Sequence, residues 1–119
     1  MSELREFGEF RLDVEKKILW HRNEAIDLPL KEIELLCLLT EGEELVTKQE
    51  IWQRVWGSQA IEESNLTSKI YRLRKLFEKY GESPDWIQSV PRRGYRFTAE
   101  VIHHSINPET VLEKHSISK

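Results

Sequence analysis

Between residues 64 and 80 the chain spaces Ser64, Ser68, Arg72, Lys75 and Lys79 three or four positions apart, interleaved with Leu66, Ile70, Leu73, Phe77 and Tyr80. On a helix, where each residue turns by about 100°, the apolar set falls within roughly 40° of Leu66 and the polar set between roughly 160° and 240°. Asn65 lies at the margin of the polar face. Lys69 falls to one side at roughly 300° and Arg74 to the other at roughly 80°. The chemistry on offer is hydrogen-bond donation and positive charge, from small residues at the start of the helix and cations beyond. A solvated charged face is one reading. The other is a surface matched to the major groove of duplex DNA, its centre facing base edges and its two shoulders facing phosphates. Arg72, central on that face, can donate two hydrogen bonds to guanine O6 and N7.

A second cationic element stands at Pro91-Arg92-Arg93-Gly94, between the alternating stretches 86–90 and 95–99. Proline and glycine mark a turn, and two guanidinium groups at a hairpin tip suit a minor groove, where narrow A·T-rich stretches concentrate negative potential. Arginines at such a tip also discourage strand-edge pairing, which is the competing reading. Catalysis finds no convergent set of groups. His103 and His104 lie in a polar C-terminal stretch, His21 near a strand end and His115 close to the terminus. No enzyme activity, metal, cofactor or small-molecule substrate is expected.

The balance of 119 residues, 39% hydrophobic and 33% charged, suits one globular domain. A net charge of −3 and a pI near 5.8 argue against nucleic acid only as averages. Residues 1–63 hold 8 Lys or Arg against 15 Asp or Glu, residues 64–100 hold 8 against 4, and residues 101–119 hold 2 against 2. A charge that changes sign along the chain implies one acidic and one basic face. The single cysteine, Cys37, sits in the apolar run 33–39 as a small hydrophobe, so no disulfide forms within the chain, as suits a reducing cytoplasm. That run is too short to span a bilayer, and the charged N-terminus lacks the apolar stretch of a signal peptide, so a cytoplasmic location is expected.

The elements that must position these residues follow from patterning. Residues 7–14, 18–20 and 25–26 read as three short antiparallel strands. Pro29 opens a first helix through about Thr40, and Gly42 ends it. Thr47-Lys48-Gln49-Glu50 has capping-box spacing for a second helix to Trp56, burying Ile51, Trp52, Val55 and Trp56. A loop from Gly57 to Glu63 precedes the third helix, which starts near Ser64 or Asn65 and ends at Gly81. Residues 5–101 form the domain, and 102–119 are a polar tail or linker.

The order of three strands, three helices and a hairpin accompanies Leu28-Pro29-Leu30-Lys31-Glu32-Ile33-Glu34-Leu35-Leu36, Trp56-Gly57, Ile70-Tyr71-Arg72-Leu73-Arg74-Lys75-Leu76 and Arg93-Gly94-Tyr95-Arg96-Phe97. Together they resemble the OmpR/PhoB-type winged-helix DNA-binding domain, an α+β winged helix-turn-helix, and the Pro-Arg-Arg-Gly-Tyr turn looks most like its ToxR/CadC-like branch. The resemblance implies a bacterial transcription regulator that binds double-stranded promoter DNA, often as two copies on direct repeats. It places DNA contacts on Ser64, Asn65, Thr67, Ser68, Lys69, Arg72, Arg74 and Lys75, with Arg92 or Arg93 in the wing. The loop bearing Gly57, Ser58, Gln59, Glu62 and Glu63 matches the segment that touches RNA polymerase in some relatives, although an ordinary connecting loop is the favoured reading. Relatives that respond to phosphorylation carry a receiver domain before the winged helix, whereas this sequence opens on the first strand, so a standalone regulator or a cut-out effector domain is expected, anchored in the inner membrane if the chain continues into an apolar segment. Pro29 and Lys31 stand where relatives often place a Thr or Ser cap. A winged helix used for protein contact, through the acidic first half or the four tryptophans, is the rival function; core packing explains Trp52 and Trp56 more simply.

Overall fold

The computed structural model describes residues 2–42, 44–57 and 62–106. The N-terminal alternating stretch makes two strands rather than one, β1 (Ser2–Phe7) and β2 (Phe10–Asp13), joined across Gly8 and Glu9. Gly8 has φ +59°, and a Cβ there would lie 2.6 Å from the Trp86 ring, so both backbone and space favour glycine. β3 (Ile18–His21) and β4 (Glu24–Ile26) continue the antiparallel meander. The pleat turns Phe7, Phe10, Leu12 and Leu19 inward, which is what the alternation encodes.

α1 (Leu30–Leu39) is buried along most of its length. Pro29 occupies its cap position without a side-chain hydrogen bond, whereas Lys31 reaches the Val55 carbonyl at 2.6 Å. The helix stops at Thr40 as expected, but through polar contacts rather than through Gly42: the Thr40 hydroxyl donates to the Leu36 carbonyl at 2.8 Å. β5 (Val46–Thr47) leads into α2 (Lys48–Trp56), whose capping box is complete, with the Glu50 N–H donating to the Thr47 hydroxyl at 3.0 Å. Ile51 and Val55 are buried; Trp52 and Trp56, expected to be buried with them, are only half covered. α3 (Glu63–Lys79) starts earlier than Ser64 or Asn65, with Glu62 as its cap residue, so those two side chains lie within the first turn.

After a 3₁₀ turn at Pro84–Trp86, β6 (Ile87–Val90) and β7 (Gly94–Phe97) form the hairpin, so Trp86 precedes the strand it was expected to begin. β7 also pairs with β5, where Gly94 lies against the Val46 carbonyl. The polar tail expected from residue 102 begins as a strand, β8 (Ile102–Ile106), antiparallel to β1. Its side chains at 102–105 are exposed, with His103 and His104 reaching Glu3 and Glu6 of β1 beside the backbone hydrogen bonds, and no hydrophobic alternation marks it. Residues 107–119 lie outside the described residues. One sheet thus runs β4-β3-β2-β1-β8 and the other β5-β7-β6.

Aromatic rings join the two sheets to α3. Phe77 stands 5.6 Å from Phe10 and 5.1 Å from Trp86, and Phe7 stands 5.3 Å from Phe97, between ring centroids. Two residues before Phe7 on β1, Arg5, 5% exposed, donates to the Cys37 carbonyl and the Thr40 hydroxyl, closing the open end of α1. Glu3 neutralises it at 2.9 Å, and His103 Nδ1 lies 2.8 Å from the same carboxylate.

Two outcomes are expected. A Cβ on Gly94 would lie 2.0 Å from the Val46 backbone oxygen, so the backbone itself must move. Gly94→Ala should lose about 1–3 kcal/mol, read from urea unfolding. The hydrogen bond from Arg5, reinforced by His103 and partly offset by desolvation, lowers the Glu3 carboxyl to about 2. Because the folded value is depressed, the stabilisation is complete above the ordinary carboxyl value of 4.5 and is lost as pH falls towards 2. Glu3→Gln should therefore lower the urea midpoint at neutral pH and flatten its decline across that window.

Candidate nucleic-acid interface

α3 buries the stripe its spacing implies: Leu66, Ile70, Leu73 and Phe77 are fully buried, and Tyr80 packs half-buried against Phe10 and His21. At 17 residues the helix is about 25 Å long, enough to lie along a groove. Ser64, Asn65, Thr67, Ser68, Arg72 and Lys75 are exposed, as is Lys79. The Thr67 hydroxyl donates back to the Glu63 carbonyl at 3.0 Å, whereas Ser64 and Ser68 keep the early outer face small. Glu78, 3.4 Å from the Lys75 ammonium, raises the lysine above its ordinary value and keeps it charged.

The flanking cations take opposite sides, as the helical projection requires, but protein groups engage both. Arg74 donates to the Ile87 carbonyl through Nε at 3.0 Å and Nη2 at 2.7 Å, and Nη2 reaches the Ser89 hydroxyl at 3.0 Å. The expected phosphate shoulder is therefore a bolt between α3 and β6. Lys69, half-buried, turns to α1, where its ammonium lies 4.0 Å from Glu32 Oε2, and Arg72 Nη1 lies 3.5 Å from the same oxygen. Arg72 nevertheless keeps its side chain 63% exposed.

The hairpin tip projects Arg92 and Arg93 into solvent. Arg92 has φ +66°, and the Arg93 N–H donates to the Val90 carbonyl at 3.0 Å, closing the turn. The Lys48 N–H donates to the Arg93 carbonyl at 3.3 Å, so the tip is tied to the start of α2. Of the possible polymerase-contact loop, Gly57 caps the end of α2 and Glu62 precedes α3. Glu63 is already helical and pairs with Lys48 at 2.5 Å, while Ser58 and Gln59 lie outside the described residues.

Two further residues stand at this face that charge and size in the sequence do not single out. Tyr71 is 58% exposed on the outer face of α3, with the Lys75 ammonium 5.5 Å from its ring centre. The same helical projection puts Tyr71 at roughly 140°, so its angle, had aromatic residues been counted, was a usable signal. Glu32 had no such signal, because its partners lie on another helix.

The family model described as "Transcriptional regulatory protein, C terminal" matches residues 23–97. The chain is 35% identical over 82 residues to the cholera toxin homolog transcriptional activator of Vibrio parahaemolyticus, covering 66% of this chain and 28% of that protein. It is 31% identical over 97 residues to the transcriptional regulator HilA of Salmonella typhimurium, covering 81% of this chain and 17% of that one. The chain thus spans less than a third of the length of these curated relatives. Among solved structures, the DNA-binding domain of Escherichia coli CadC superposes with a TM-score of 0.73 at 25% identity, covering 85% of this chain and 96% of that domain. The described fold and the family match over 23–97 together make this chain a member of the transcriptional regulatory protein C-terminal family, the OmpR/PhoB-type winged-helix DNA-binding domains.

Proposed function

We propose that the domain reads double-stranded promoter DNA with α3 in the major groove and the Pro91–Gly94 turn at the minor groove, as the effector of a transcription regulator. The observation that carries this reading is the outer face of α3. Small Ser64 and Ser68 permit close approach, Arg72 stays exposed, and Arg74 locks the cationic hairpin beside the same helix. In this reading Arg72 addresses guanine, Asn65 and Ser68 line the base edges with it, Tyr71 offers an apolar surface, and Lys75 with Arg92 or Arg93 meets phosphates. Lys69 and Arg74 support the face from its two sides.

The acidic first half does not oppose this, since most of its charge belongs to other elements. Among the described residues no helix is long and apolar enough to cross a membrane. A role on promoter DNA puts the domain on the cytoplasmic side. Alignment of a second copy on direct repeats and contact with RNA polymerase are properties we assign to the whole regulator on family membership alone.

Electrophoretic retardation of a duplex carrying the gene's own upstream region should weaken steeply with salt, with a slope of about −0.9 per phosphate neutralised. Binding that is absent, or indifferent to salt, removes the proposal's support. Arg72→Ala should lose about 1–3 kcal/mol on the preferred duplex and much less on random DNA; an unchanged ratio of the two affinities refutes the base-reading role. Replacing Arg92 and Arg93 together by alanine should weaken both duplexes alike and reduce the salt slope by about 1–2.

A further inference from the structure

Glu32 stands in the first turn of α1, 1% exposed, and its Oε2 accepts no hydrogen bond. The cations nearest that oxygen both come from α3: Arg72 Nη1 at 3.5 Å and Lys69 Nζ at 4.0 Å. Burial of a carboxylate is costly, and an uncharged residue of similar volume often stabilises a fold as well or better. Proximity to the start of α1 favours a negative charge there but does not require burial. The arrangement is economical only if the charge acts on α3.

Its action on Arg72 is asymmetric. One amino group of the guanidinium faces Glu32, while the side chain remains 63% exposed, which leaves the rest of the planar fork accessible to a partner. An arginine free to change rotamer pairs with any phosphate it meets. One held at a single edge of its fork presents a fixed pair of donors, the geometry that distinguishes guanine from other bases. The same carboxylate draws Lys69 towards α1 and offsets positive charge beneath the reading face, which lowers attraction to DNA of any sequence.

We propose that Glu32 is a positioning residue for DNA specificity: it orients Arg72 and restrains Lys69, exchanging general affinity for discrimination. This inference rests on the reading of DNA by Arg72. It is tested by fluorescence anisotropy with a duplex selected from a random pool by the wild-type domain and a shuffled duplex of equal length. Glu32→Gln, Arg72→Ala and the double variant are compared across a salt series. Glu32→Gln should reduce the selected-to-shuffled affinity ratio by about tenfold, bind the shuffled duplex at least as tightly as wild type, and steepen the salt slope by about 1. In the Arg72→Ala background it should change the ratio no further, because the two residues act as one unit.

An unchanged ratio for Glu32→Gln, with a lowered one for Arg72→Ala, overturns the role of Glu32 and leaves that of Arg72 standing. A full additional loss in the double variant also overturns it, since Glu32 would then act independently of Arg72. An unchanged ratio for Arg72→Ala refutes the base-reading role itself. If circular dichroism shows that the glutamine variant is unfolded, Glu32→Asp replaces it. That variant draws the charge back by one methylene, and it must lower the ratio for the inference to hold.

Discussion

The ring of Phe77 sets the attitude of α3, and most of the molecule's geometry follows from it. It meets Phe10 from the first sheet, Phe97 from the second and Trp86 from the turn that leads from α3 into β6. Large rings bury much apolar surface and lock together in few arrangements. The helix consequently cannot roll about its axis without unpacking both sheets. That constraint keeps Ser64, Ser68, Tyr71 and Arg72 outward and makes a groove-facing surface possible in so small a domain.

Around this apolar centre, charged side chains act as staples. Arg5 closes the end of α1 by donating to a carbonyl and a hydroxyl, and Arg74 grips the Ile87 carbonyl of the hairpin. Both guanidinium groups satisfy backbone oxygens that packing alone leaves open. Glu32 differs from them. It meets two cations, at 3.5 and 4.0 Å, without a hydrogen bond to the oxygen nearest them, so its contact with α3 is an ion pair and not a hydrogen-bonded joint. That contact engages one edge of Arg72 and leaves the rest of the side chain available, whereas Arg74 is committed.

The acidic pI loses its force once charge is assigned to elements. The excess of carboxylates lies in residues 1–63, most of them on the meander, α1 and α2, whereas α3 and the hairpin hold the excess of cations. Several of those carboxylates are paired locally, Glu9 with Arg22 and Glu41 with Arg54 among them. Such exposed pairs add little to stability but temper the field on that side of the molecule.

The sequence by itself determined the helices, the hairpin, the capping box at Thr47 and the buried stripe of α3. Each is encoded in short-range spacing or in one turn residue, which is what period and local hydrogen bonding convey. β8 was illegible because its exposed side chains break no polar pattern, and the short β5 because two residues establish no period. The half-covered Trp52 and Trp56 depended on which neighbours α2 met. The fates of the cations on α3 likewise belonged to the tertiary structure. Projection put Lys69, Arg72 and Arg74 on the correct sides of the helix. Only the packing of α1 and β6 against those sides decided that Glu32 would face the first two and the Ile87 carbonyl the third. Angles around a helix are local properties, but the partner waiting at each angle arrives from another part of the chain.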